Sequence, residues 1–172
     1  LCAQADWLSA SRLPWPLGFT NRPEETRMGM LNWLKARLSG DQTSELILEK
    51  REEELHGLNI KKALDAHEAW NSRLKSVLDG TSTESIQVSE IAQDCNCHLG
   101  KWIYGPGKKS HSSYEEYEIL RKTHAEFHLC AGEILMEHQA GNDGVADKLL
   151  KTKFQNLSNK IQLDLVRLFT KA

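Results

Sequence analysis

Between Ser113 and Gln139 apolar side chains return every three or four residues, a repeat that admits little but a long amphipathic helix. Tyr117, Leu120, His124, Phe127, His128, Ala131 and Leu135 fall along one side of it. Two other segments carry similar stripes. Ile60, Leu64, His67, Leu74 and Leu78 line a helix that Asp79-Gly80 ends. Leu150, Phe154, Leu157, Ile161, Leu165 and Leu168 form a near-heptad seam in a helix from about Val145 to Thr170. A short helix over 30–38 places Leu31, Leu34 and Leu38 at helical spacing, and Gly40-Asp41 stops it. Residues 43–56 are helix-favouring and highly charged, with a break at Gly57.

Local signals fill in the joints. Thr81 with Glu84 reads as a capping box for a short helix through about Gln93. Ser113 with Glu116 reads as a second box, and Asp143 as the cap of the last helix. Residues 94–111, punctuated by Gly100, Gly105, Pro106 and Gly107, read as a turn region. The expected fold is all-α, an antiparallel four-helix bundle with short connecting helices. Residues 1–42 form an N-terminal extension, a tail over 1–27 followed by the short helix. Residues 43–172 form the bundle.

Composition narrows the function. The chain has 172 residues, a formal net charge of -2 and 40% hydrophobic residues, which suits one ordinary core. A near-neutral chain is not built to hold a polyanion, so nucleic acid is not expected as a partner. No stretch reaches the roughly 20 apolar residues of a membrane helix. Residues 1–19 have no basic segment, and Pro14 and Pro16 interrupt their apolar part, so no export signal is read there. The expectation is a cytoplasmic protein whose four cysteines (Cys2, Cys95, Cys97 and Cys130) stay reduced. In that setting clustered cysteines point to metal or redox chemistry.

His124 and His128 leave one helix face a turn apart, a spacing at which two imidazoles grip one tetrahedral cation. Two histidines at this spacing are a weak signal alone. His67 strengthens it, because an imidazole in an apolar stripe must find a partner or cost stability. A thiolate would complete a closed zinc sphere, with Cys97 as a candidate and Cys95 and His98 as competitors. The rival is a zinc hydrolase, suggested by His124-Ala125-Glu126-Phe127-His128. In the protease motif the glutamate directly follows the first histidine, whereas Glu126 stands about 200° around the helix from His124. A bridged di-iron bundle needs inward carboxylates, which these stripes lack. A plain helical interaction module with structural histidines is the blander alternative.

Three motifs together resemble the chemoreceptor zinc-binding domain family, CZB. They are His67-Glu68-Ala69-Trp70, Cys97-His98-Leu99-Gly100-Lys101-Trp102 and His124 through His128, at the family's intervals. The resemblance covers about residues 58–140. It implies that His67, Cys97, His124 and His128 bind zinc, and it selects Cys97, three before the glycine, over Cys95. It implies a homodimeric, non-enzymatic regulatory domain in bacterial signalling, acting on a chemoreceptor or a diguanylate cyclase. With no cyclase motif or chemoreceptor hairpin in this sequence, that action is expected in trans. Such domains sense zinc, or hypochlorous acid through the zinc-bound cysteine, here Cys97. Trp70 and Trp102 are expected to wall the site, and Cys95 to offer a resolving thiol.

Overall fold

The computed structural model describes residues 54–171, together with Asn32, Trp33, Lys35, Ala36 and 39–41. The chain is predominantly helical. Its sheet is one hairpin, β1 (Glu54–Leu55) paired antiparallel with β2 (Leu58–Asn59), Leu55 facing Leu58. Between them His56 and Gly57 both take positive φ (44° and 83°), as a two-residue type I′ turn requires. The expected helix over 43–56 is therefore corrected at its end, where residues 54–56 enter the hairpin. The remainder of that expectation lies outside the described residues. Asn32, Trp33, Lys35 and Ala36 are helical, as expected for 30–38. That helix stops where Asp41 N–H reaches back to the Ala36 carbonyl.

Helix α1 (Ile60–Leu78) begins where the Asn59 side chain accepts a hydrogen bond from Lys62 N–H. It ends with Gly80 at positive φ and Thr81 N–H bonded to the Ser76 carbonyl. Ile60, Ala63, Leu64, His67 and Leu74 are buried. The expected Thr81/Glu84 capping box does not form. Thr81 donates back to the Ser76 carbonyl, and the Glu84 carboxylate is taken by Arg73 at 2.8 Å. Residues 81–87 consequently have no regular structure, and only Val88–Ile91 is helical there, as α2.

The expected turn region is instead largely helical. Helix α3 (His98–Trp102) runs through a wide π-type turn (Ile103–Gly107) into α4 (Lys108–His111). Pro106 lies in that turn and Gly105 leaves helical dihedrals, so the sequence punctuation marks a kink rather than a loop. Helix α5 (Glu115–Gln139) buries the whole predicted stripe. Tyr114 caps it without a side-chain bond, and Glu116, the second half of the expected box, pairs with Lys171. The last rod is α6 (Asp143–Leu149), a wide turn (Leu150–Phe154) and α7 (Gln155–Lys171). Asn142 caps it, and the Asp143 carboxylate accepts from His138 at 2.6 Å instead.

All six predicted seam residues of this rod are buried. Phe154 stacks on Phe127 at 4.4 Å, joining the rod to α5. Helix α1 packs on both, so among the described residues three long rods enclose the core. Gly132 admits α2 against α5, since a Cβ there would stand 3.1 Å from the Ala92 methyl. Trp33 is buried in the same cluster.

Candidate metal centre

The predicted quartet converges. The ligand atoms of His67, Cys97, His124 and His128 all lie within 4.8 Å of one another. His124 and His128 come from one face of α5, with ring centroids 4.7 Å apart. His67 arrives from α1, 5.2 Å from the His124 ring. Cys97 is the N-cap of α3, and its sulfur stands 3.2 Å from His124 Nε2. The three histidines are at most 3% exposed, while Cys97 is half-buried.

Backbone groups fix two of the rings. His67 Nδ1–H donates to the Ala63 carbonyl at 2.7 Å, and His128 Nδ1–H to the Ile91 carbonyl at 2.6 Å. With Nδ1 holding the proton, Nε2 of each ring is a bare lone pair. Both Nε2 atoms are buried and have no hydrogen-bond partner within the protein. Leaving such groups unpaired costs about 1–3 kcal/mol each, so the arrangement lacks something that accepts lone pairs. His124 differs. Its Nδ1 is also buried without a hydrogen bond, and the Asp94 carboxylate stands 3.8 Å away.

The sulfur is held ready as an anion. Burial alone would raise the Cys97 thiol, but the imidazoles of His124, His128 and His67 gathered around it override that and bring the pKa down to about 3. Gly100 N–H also points at the sulfur, at 3.2 Å. Burial works against a charged His124, but Asp94 and Cys97 outweigh it and raise its pKa. Only glycine fits at 100, since a Cβ there would stand 1.7 Å from the Asp94 carbonyl oxygen.

The donor set fits zinc. Three neutral imidazoles and one thiolate make a closed N₃S sphere, and ligands of one tetrahedral ion sit roughly 3.5 Å apart. Unpartnered lone pairs facing a thiolate are what such an ion would satisfy. No other cluster of three or more ligating side chains occurs among the described residues.

A cleft of about 480 Å³ opens onto Cys97 and His128, with Trp70, Arg73, Glu84 and Asn96 along its walls. Trp70 thus borders the site, with the Arg73 guanidinium 4.1 Å over its ring. Trp102 lies at 3% exposure beneath the hairpin, its indole N–H shared between the Leu55 and His56 carbonyls at 3.1 Å. Cys95 is disulfide-bonded, which corrects the expectation of four reduced thiols and removes it as a resolving thiol. Cys97 and Cys130 are free.

Sequence reading missed Asp94 and Tyr104, whose hydroxyl donates to Asp94 at 2.6 Å. Neither falls on a helical stripe, and no periodic signal marked them.

No helix of the described residues is long and apolar enough to cross a membrane. No curated protein and no solved structure matches the chain. Residues 67–135 match the family model of the chemoreceptor zinc-binding domain, CZB, so the motif resemblance holds across the span that carries all four converging side chains.

Proposed function

We propose that this chain is a zinc-binding sensor domain that regulates a signalling output, with His67, Cys97, His124 and His128 as the ligands. The observation that carries the reading is the pair of buried, unpartnered Nε2 atoms of His67 and His128, aimed with His124 at one sulfur. Bound there, the ion supplies a cross-link between α1, α3 and α5 and holds Cys97 as a thiolate. Four protein donors close the sphere and leave no position for an activated water, which favours regulation over hydrolysis. The matched family is likewise a regulatory one.

Two inputs act on the same side chains. Loss of the ion unties three helices that meet at the site, and the tie is strong: apparent zinc-binding energies of about 10–16 kcal/mol rival a small domain's whole stability. Oxidation is the second. The Cys97 thiolate reacts with hypochlorous acid to give a sulfenic acid and chloride, a net two-electron oxidation of sulfur, and the product is a poorer ligand. The cleft makes Cys97 the ligand that solvent reaches. The output is a chemoreceptor or a diguanylate cyclase, and the working unit is a homodimer in the cytoplasm.

Elemental analysis of the purified protein tests the ligand set. One zinc per chain is expected, lost in Cys97→Ala and in His128→Ala. Protein that carries no metal, or both variants retaining a full equivalent, would refute the reading.

A further inference from the structure

The three histidines are not held alike. His67 and His128 are fixed at Nδ1 by hydrogen bonds to main-chain carbonyls, whereas His124 Nδ1 makes no hydrogen bond and has the Asp94 carboxylate 3.8 Å away. That carboxylate is itself built in. Tyr104 Oη donates to Asp94 Oδ2 at 2.6 Å, and the same oxygen faces His124 Nδ1 at 3.8 Å. The Asp94 backbone is locked from the other side, because its carbonyl oxygen packs where a Gly100 side chain would otherwise stand. Asp94 is mostly shielded, its side chain 14% exposed. Tyr104 and Asp94 therefore approach His124 from behind, on the ring edge opposite the sulfur.

We infer that Asp94, steadied by Tyr104, is the positioning residue for His124, turning its Nε2 toward Cys97 and strengthening it as a donor. The inference rests on the zinc reading above and adds a residue pair to it. A carboxylate behind a ligating imidazole fixes the tautomer and raises ligand basicity, and removing such a partner costs about 10–100-fold in metal affinity. The geometry also makes His124 the adjustable ligand of the three. Its orientation depends on two side chains, one of them the 38% exposed Tyr104, rather than on helix backbone.

The test is zinc competition against a chromophoric chelator for the wild type, Asp94→Asn, Asp94→Glu and Tyr104→Phe. At saturating zinc every variant is expected to bind one equivalent with wild-type helicity. Asp94→Asn should weaken affinity about 10–100-fold, Tyr104→Phe by less, and Asp94→Glu should recover part of the loss. The visible absorption of the cobalt-substituted protein should shift in Asp94→Asn, a change that a purely structural role would not produce. Wild-type affinity and an unshifted cobalt spectrum in Asp94→Asn would overturn the inference while leaving the metal site standing. A loss of helicity in Asp94→Asn at saturating zinc, not repaired by Asp94→Glu, would also overturn it, assigning Asp94 to the fold alone. A wild type that binds no zinc would overturn both.

Discussion

Thr123 and His124 are neighbours on α5, both buried, yet they face opposite solutions to the same problem. Thr123 turns toward α7, where its hydroxyl lies 3.0 Å from the Ile119 carbonyl and 2.9 Å from Asp164 Oδ2. His124 turns toward Cys97 and two rings whose Nε2 atoms have no partner. The first cluster closes within the protein. The Thr123 hydroxyl is shared between the Ile119 carbonyl and Asp164 Oδ2, and Arg167 stands 3.4 Å from the other carboxylate oxygen. Burial raises the Asp164 pKa, against the lowering pull of Thr123, Lys160 and Arg167. The second cluster has lone pairs and a thiolate but too few protons to satisfy them. Buried polarity that closes on itself is architecture, and buried polarity left open in one direction is a site.

Metal removal should break the comparison most visibly. Chelation is expected to lower the melting temperature by about 10 °C or more, since each kcal/mol is worth about 2–4 °C in a chain this size. Differential scanning calorimetry with and without excess chelator reads it, and an unchanged melting temperature would mean the quartet is as self-sufficient as the Thr123–Asp164 pair.

Thiol chemistry sharpens the contrast next. Cys97, held near 3, is a thiolate throughout pH 5–8, whereas burial pushes Cys130 up to about 11. In cold, metal-free protein, alkylation at Cys97 should therefore be nearly flat across that range, with Cys130 slower by about 100-fold or more. Mass spectrometry assigns the sites. A Cys97 rate climbing about tenfold per pH unit, as an ordinary thiol's would, contradicts the picture.

The smallest effect belongs to Asp164→Asn. A carboxyl whose folded pKa is raised contributes stability below its unfolded pKa and loses it as pH rises through the folded one. Asparagine keeps an acceptor for Thr123 and cannot ionise. The variant should gain on the wild type as pH climbs from the acid range to neutrality, read from urea midpoints. A gap that shrinks over that range would show that Asp164 is stabilising as an anion.

The helices and the three histidines were legible because both obey the helical period: His67, His124 and His128 sit in stripes whose remaining members are apolar, whereas Cys97 lies on no stripe and only the family resemblance singled it out over Cys95 and His98. What the sequence concealed follows from competition for side chains. Glu84 and Glu116 match capping-box spacing, but Arg73 and Lys171 claim their carboxylates. The hairpin escaped notice because His56-Gly57 is an uncommon type I′ pair, embedded in a helix-favouring run. Asp94 and Tyr104 meet only after α3 has folded back, so their contact depends on tertiary placement rather than spacing.

Trp102 gives the molecule a lever. It ends the same short helix that starts beside the Cys97 sulfur, and its indole grips both carbonyls of the hairpin turn. A single turn of helix joins the two, so a shift of the sulfur is expected to be felt at the hairpin turn that the indole holds. The hairpin turn and the thiol thus sit at the two ends of one short helix, with the indole as its pin.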